Sequence, residues 1–383
     1  MQLILKLIAG IVAGILLGLF APDVLIRALL TFKELFGQLL FFTIPLLILF
    51  YITAGIAGLP KGSGHLLGRT IGTAYASTIL AGVMAFLIAA LVVPMLAASG
   101  GSTPVEAGHM VEPFLRMDIP PVFSIMSALA TAFIFGLGIS ATGSATLKSV
   151  FEEGRDVIEK LLVTVIIPLL PFYIAGVFAE LAAAGTVFET LKTFGIVLLL
   201  SVALHWVWIG VLYTLAGMKA GRSPLSLIKN MVPAYVTALG TMSSAATIPV
   251  TLKCARNNEV REDIASFSIP LCATVHLSGS TITIVSCAVA VMVLSDGLAV
   301  PSLLTMLPFI FMLGLVMLAA PGVPGGAVMA AVGLLGSMLG FDETAIALMI
   351  ALYMAQDSFG TACNVTGDGG IAVLVESAAD QSG

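Results

Sequence analysis

Charge is what this chain has least of. Only 10% of its 383 residues are Asp, Glu, Lys or Arg, where a soluble domain carries about 25%. With 59% of residues hydrophobic and a mean hydropathy of +1.13, an ordinary water-soluble fold is excluded. The net charge of −5 is small and spread along the chain, and the absence of a basic tract argues against nucleic acid as a partner. Cysteine is scarce too. Cys254, Cys272, Cys287 and Cys363 fall in predicted spans or a predicted cytoplasmic turn, so they read as small packing residues rather than a disulfide framework. Neither HExxH nor GxSxG occurs, which leaves an intramembrane enzyme without a metal set or a nucleophile.

Apolar windows near or above 18 residues recur from the first residues to about position 375, the pattern of a polytopic membrane protein in which the lipid bilayer is the solvent. Predicted spans are 3–20, 34–58, 68–97, 121–144, 157–183 and 190–217. The first has its lysine inside the apolar run and no small-residue cleavage site after it, so it reads as a retained span and not as a signal peptide. Residues 98–120 form one long external loop. There His109 with Glu106 and Glu112 reads as solvated polar sequence rather than a metal site.

Beyond residue 220 the pattern changes. Residues 224–256 hold two half-length apolar stretches that meet at Met242-Ser-Ser-Ala-Ala-Thr-Ile-Pro249. Residues 264–295 form a span interrupted at Thr274-Val-His-Leu-Ser-Gly-Ser280, and 301–338 again splits into halves at Ala319-Ala-Pro-Gly-Val-Pro-Gly-Gly326. The last span is 341–375. Two hairpin-like segments, each followed by a polar-interrupted helix, suggest an inverted repeat. Non-helical backbone at membrane depth survives only where it lines a cavity or is buried in protein, and paired broken segments point to the binding site of a secondary transporter. With the first hairpin entering from the cytoplasm and the second from outside, twelve Lys and Arg residues are cytoplasmic and four (Arg27, Lys33, Arg116, Lys192) are external. That bias agrees with the positive-inside rule.

The strongest anomaly is in the last span. Asp357, Thr361, Asn364 and Asp368 fall at i, i+4, i+7 and i+11, and eleven steps of 100° return to within about 20°, so they share one helix stripe. Carboxylates cost several kcal/mol in hydrocarbon, so the stripe must face a partner, a cation or a cavity. A hydrogen-bonded seam between helices is the structural alternative. It is weakened by two carboxylates with no basic residue in the span. An ionised Asp357 suits an ammonium group. Asp368 and Asn364, with carbonyls at a helix break, offer the hard oxygen ligands of a small cation.

The other polar groups are less specific. The first hairpin tip, with Ser243, Ser244 and Thr247, offers hydroxyls and free backbone N–H groups that bind carboxylates readily, or merely caps a turn. In the second tip Gly322, Gly325 and Gly326 permit close backbone approach while Pro321 and Pro324 end helices. That suits a gate or a plain loop. His276, at a helix break, is either a neutral histidine satisfied by carbonyls or a proton carrier. His205 has no polar neighbours in sequence and reads as a packed histidine near an interface. Trp206 and Trp208 read as lipid or scaffold contacts.

Taken together these segments resemble the dicarboxylate/amino acid:cation symporter family, the glutamate-transporter fold. The likeness covers nearly the whole chain and is densest from Pro233 to Glu376. It rests on Ser243-Ser-Ala-Ala-Thr-Ile-Pro-Val-Thr251, on His276-Leu-Ser-Gly-Ser280 in place of the family's Asn-Met-Asp-Gly-Thr, on Gly322-Val-Pro-Gly325, and on Asp357, Thr361 and Asn364-Val-Thr-Gly-Asp368.

The resemblance implies an all-α homotrimer in an inner or plasma membrane, with cytoplasmic termini, eight spans and two re-entrant hairpins. Residues 1–67 and 121–184 would form a scaffold. Residues 68–97 and 185–383 would form a transport domain that slides as an elevator. Asp357 would bind a substrate amine; Asn364 and the backbone around Ser243 and Ser244 would bind its carboxylate. Ser280, Gly322, Val323, Gly360 and Thr361 would complete the substrate site. Asp368, Asn364 and carbonyls near Cys272 and His276 would hold sodium, and a second sodium would use carbonyls of Thr274 and the second hairpin.

Two departures bear on chemistry. Members that carry acidic substrates have an arginine three residues after the amine-binding aspartate; here that position is Gly360, and the hairpin arginine of other members is Met242. Without a guanidinium a side-chain carboxylate is desolvated unpaired, at a cost of several kcal/mol. A small neutral amino acid therefore becomes the expected substrate, with Gly360 leaving space. The family's asparagine and aspartate at a deep third sodium site are His276 and Ser278 here. Ser77 and Thr78 supply oxygens only weakly, so that site is expected to hold no sodium, with His276 filling it or carrying a proton. The sequence thus predicts cation-coupled symport with sodium as the cation. Proton-coupled or sodium-independent carriage of an amino acid or dicarboxylate, and a passive channel, are the alternatives.

Overall fold

A computed structural model of the chain describes residues 2–58, 64–98, 111–295, 297–318, 320 and 324–380. Among the described residues there is no strand, and fourteen α-helices make up the protein. Helices α1 (Gln2–Phe20), α2 (Asp23–Ala57) and α3 (Gly64–Ala98) are followed by α4 (Ile125–Thr142). Helix α5 (Ala145–Leu161) continues through a π-helical turn, Leu162–Ile166, into α6 (Ile167–Ala183), and α7 spans Val187–Ala220. The remaining helices are α8 (Pro224–Thr241), α9 (Ser244–Asn257), α10 (Glu262–Val275), α11 (Ser278–Leu294), α12 (Leu303–Met317), α13 (Gly326–Leu339) and α14 (Glu343–Asp380).

Local chemistry explains the boundaries. Ser124, Ser144, Ser243 and Ser302 cap the N-termini of α4, α5, α9 and α12 by accepting from the backbone N–H three residues on. Left-handed Gly143, Gly221 and Gly340 end α4, α7 and α13. The π turn sits where Pro168 and Pro171 enter the helix. A proline cannot donate to the carbonyl four residues back, so the ladder there must be re-registered. The sequence-predicted hairpins appear as α8–α9 and α12–α13, and the interrupted span appears as α10 and α11. Arg256 and Glu262 pair across the α9–α10 turn, and that hydrogen bond holds the Glu262 carboxyl below its usual range.

Several spans are longer than their apolar cores suggested. Helix α2 starts at Asp23 rather than 34, and the helix predicted at 157–183 begins at Ala145. In α5 Lys148, Glu152, Arg155 and Glu159 supply a charged stripe that a hydropathy window excludes. Six helical stretches are long and apolar enough to cross a membrane, and four shorter helices are also apolar. On α1, Leu5, Ile8, Val12, Leu16 and Leu19 are exposed along one face. On the opposite face Gly10, Gly14 and Gly18 lie against the carbonyls of Pro171, Ala175 and Ala179 of α6, so close that an added Cβ would collide with each. Small residues at such a seam let two membrane helices touch backbone to backbone.

Packing divides the helices into two groups. Helices α1, α2, α4, α5 and α6 pack mainly on one another, while α3 and α7 to α14 form a second group centred on α11 and α14. Links between the groups are fewer, chiefly through α13 against α2 and α4 and through α14 against α1 and α6. All four cysteines are buried free thiols. Of the predicted loop, residues 99–110 lie outside the described residues, His109 and Glu106 among them. The segment from 111 runs along α2, where Arg27 donates to the Glu112 carbonyl (3.0 Å) and Phe114 N–H donates to Thr31 (2.8 Å).

Candidate functional site

The polar stripe on α14 meets a matching stripe on α11. Gln356 donates to Cys287 Sγ (3.4 Å), Asn364 binds Gly279 and Ser280, and His276 binds Asp368. Between these rungs Gly360 faces Thr283. Positions 280, 283 and 287 of α11 recur at helical spacing, His276 lies in the break that precedes that helix, and rising numbers on this side meet falling numbers on α14. The two helices are therefore antiparallel, with one polar seam inside an apolar group. Asp357, Thr361, Asn364 and Asp368 are all buried.

Near the middle of this seam lies a cavity lined by Ser244, Ser280, Tyr353, Asp357, Thr361 and Asn364, with Met242, Leu277 and Ala320 as apolar wall. The cavity is small, about 30 Å³, room for roughly two waters. Three helix N-termini reach it: α9 at Ser244, α11 at Ser280 and α13 at Ala327. Each brings the positive end of a helix dipole, and at α11 the N–H groups of Gly279 and Ser280 are already taken by Asn364. The one formal charge in the lining is Asp357. Its Oδ2 accepts from the N–H of Gly325 (2.7 Å) at the second hairpin's tip. Gly325 is left-handed (φ 76°), and a Cβ on it would come within 2.5 Å of Met354 Sδ. Met242 closes the first tip in a left-handed conformation (φ 53°), costing about 1–2 kcal/mol for a residue with a side chain. Gly322 and Val323, with Pro321, lie outside the described residues.

Asn364 is fixed at both ends of its amide. Its Oδ1 accepts from Gly279 N (2.7 Å) and Ser280 N (3.2 Å), and its Nδ2 donates to Ser280 Oγ (2.9 Å). Two N–H groups on one amide atom require that atom to be oxygen. With both lone pairs of Oδ1 used, Asn364 offers the cavity a donor, which suits a carboxylate. A sodium ion on Oδ1 would have to displace one of these N–H groups.

One turn further along α14, Asp368 Oδ1 is bound by His276 Nδ1 (3.0 Å), whose Nε2 meets Ser77 Oγ of α3 (2.9 Å). Trp208 of α7 donates to the same Ser77 oxygen (3.3 Å). These four buried groups form a chain across α7, α3, the α10–α11 break and α14. The imidazole occupies one carboxylate oxygen that a cation would otherwise take. Thr78 donates to its own helix at Ala74 O (3.0 Å). Cys272 contributes its carbonyl to the N–H of His276 (2.9 Å). Thr274 is exposed and lines a larger cavity of about 560 Å³ between the two groups, with Tyr51, Lys148, Glu152, Arg155 and Glu159 on the far wall. Ala320 lines both cavities. Ser243 caps α9 through Ala246 N (3.3 Å) and does not line the smaller cavity.

Three expectations need correction. Gly360 does not open onto the cavity: a Cβ there would meet Thr283 Oγ1 at 3.3 Å and Ser280 N at 3.5 Å, because the first turn of α11 lies over it. His205 has polar neighbours, since its Nε2 lies 3.1 Å from both Gly279 O and Thr283 Oγ1. Trp208 is a buried hydrogen-bond donor to Ser77 rather than a lipid or scaffold contact, while Trp206 is exposed and packs at a tilt on Tyr235, ring centroids 4.9 Å apart. Sequence reasoning also passed over Tyr353. The available signal was its place one turn before Asp357 on the same stripe.

A multi-pass helical bundle with broken helices meeting at a buried polar cavity defines a secondary transporter, not an enzyme. Residues 3–378 match the profile of the sodium:dicarboxylate symporter family, and the chain belongs to that family. A curated relative, the serine/threonine transporter SstT of Streptococcus suis (strain 05ZYH33), is 33% identical over 301 residues, covering 74% of this chain and 81% of the relative. Sodium-coupled symport of an amino acid or dicarboxylate is thus the protein's class of activity.

Proposed function

We propose that the protein takes up a small neutral amino acid of serine or threonine size with sodium. The observation that carries this reading is the charge inventory of the cavity: one carboxylate, three helix N-termini and no basic side chain among the described residues. A zwitterion matches that inventory, its ammonium on Asp357 and its carboxylate against N-terminal N–H groups and Asn364 Nδ2. A second carboxylate finds no cation and is desolvated unpaired. The small volume and the Met242 wall favour a short side chain. The name of the SstT relative points the same way.

Asp357 also holds the second hairpin's tip, so the amine and the tip meet at one carboxylate. This supports a gate whose closure depends on what the site holds. The α1, α2, α4, α5, α6 group is the proposed scaffold and the other group the proposed transport domain, sliding as an elevator within a homotrimer whose termini are cytoplasmic. The sparser links between the groups support this division. For sodium, Asp368 and the carbonyls at the α10–α11 break, near Cys272, Thr274 and His276, are the proposed ligands. We assign His276 to the space of a third cation, since its ring bridges Ser77 and Asp368. Asn364 serves the substrate rather than the ion.

Uptake into proteoliposomes tests the proposal. Labelled serine should accumulate only with an inward sodium gradient, and unlabelled threonine should compete while aspartate should not. Sodium-independent uptake driven by a proton gradient and lost in His276→Gln would establish the proton-coupled alternative instead.

A further inference from the structure

The mechanism above leaves one buried histidine unused. His205 lies on α7, outside the cavity lining, and is 1% exposed. Its Nε2 is 3.1 Å from the carbonyl of Gly279 and 3.1 Å from Thr283 Oγ1. A carbonyl only accepts, so Nε2 carries the proton and Nδ1 is an acceptor. Among the described residues that Nδ1 has no partner. A ring held through one nitrogen, with the other left unsatisfied at a cost, marks the Nε2 contact as the reason for a histidine here.

That contact lands on a pivotal peptide. Gly279 has its N–H on Asn364 Oδ1 (2.7 Å) and its carbonyl on His205, with Thr283 Oγ1 also donating to that carbonyl (3.1 Å). It has no freedom to shift toward α14, because a Cβ there would already collide with the Gly360 carbonyl and lie 2.6 Å from Cys363 Cβ. Cys363 in turn packs its thiol on the His205 carbonyl (3.8 Å). Helices α7, α11 and α14 therefore meet at one residue, and the next N–H along, that of Ser280, completes the grip on Asn364.

We infer that His205 is a positioning residue: it fixes the first turn of α11 so that Asn364 presents its Nδ2 to the substrate carboxylate. This rests on the reading of Asn364 as a carboxylate contact. Removing the Nε2–H lets the Gly279 peptide tilt, and the Asn364 amide loses one of the three hydrogen bonds that hold it. The sodium ligands at Asp368 sit a full turn away and are held by His276, so sodium affinity is not expected to change in step.

Two variants separate this role from mere packing. Glutamine places a side-chain N–H near the position of histidine Nε2, whereas leucine fills space without a donor. In proteoliposomes, His205→Leu should raise the KM for serine about ten-fold and leave the half-saturating sodium concentration within two-fold, while His205→Gln should stay near wild type. Thr283→Val, which removes the second contact on the same carbonyl, should shift KM in the same direction by less. That variant and His205→Gln decide the matter if His205→Leu is not recovered folded. An unchanged KM in His205→Leu and Thr283→Val overturns the inference. So does a parallel loss of serine and sodium affinity with lowered thermal stability that glutamine does not rescue, which would make His205 purely structural. Absence of serine transport in the wild-type protein itself would instead refute the substrate assignment, a separate failure.

Discussion

Asp357 does two things with one carboxylate, and a substitution can separate them. Asparagine keeps an oxygen that accepts from Gly325 N–H but loses the charge. Asp357→Asn should therefore leave the ligand-free protein as thermally stable as wild type while weakening serine binding at least about 30-fold, the usual range for losing one member of a buried charge pair. Isothermal titration in sodium checks it, and binding within three-fold of wild type would remove Asp357 from the amine site. Gly360 yields a second expectation at this scale. Because the α11 first turn lies over it, Gly360→Arg should not by itself confer aspartate binding; the guanidinium has first to displace Thr283. Robust aspartate binding by that variant would show the position opens onto the cavity after all. The aspartates, Asn364 and His276 were legible in the sequence because each is a polar group that hydrocarbon penalises. The real surroundings of Gly360 and His205 were not, since both depend on which helix crosses there, and no local pattern encodes a crossing.

At the scale of elements, the fold is decided by where backbones touch. Gly10, Gly14 and Gly18 let α1 lie on α6, and no side chain is available to replace that contact area. Gly14→Leu should lower the melting temperature of the detergent-solubilised protein, by clash rather than by lost burial, whereas the same change at Gly138, with open space around its Cβ position, should be nearly silent. Equal effects at the two sites would argue against the seam. The paired stripes of α11 and α14 make a parallel case. The α14 stripe was read from sequence as cavity or seam, and the structure contains both: Asn364 bonds to α11 and Asp368 to His276 at the α10–α11 break, while Asp357, Thr361 and Asn364 line the cavity. The broken helices were legible from their half-length apolar runs and small-residue tips. The long extension of α5 was not, because its Lys148-to-Glu159 stripe dilutes the hydropathy signal that marks a span.

For the whole molecule, the proposed elevator has the two helix groups move relative to each other during transport. Gln38 of α2 donates to Glu343 of α14 at 3.4 Å, a contact between the groups that an elevator stroke has to break. Cysteines at positions 38 and 343, joined by a short thiol cross-linker, should abolish serine uptake and preserve serine binding. The four native thiols are buried, which keeps background low. Uptake that survives the cross-link would mean the groups do not move apart at that end.

The account's central claim is that a cavity with one carboxylate and no side-chain cation selects a neutral amino acid in the presence of sodium. Thermal-shift titration of the purified protein tests it most directly, because a ligand that binds only the folded state raises its apparent stability by mass action. Serine and threonine should raise the melting temperature in sodium and not in choline, and aspartate and succinate should leave it unchanged in both. Stabilisation by aspartate or succinate equal to that by serine would contradict the claim.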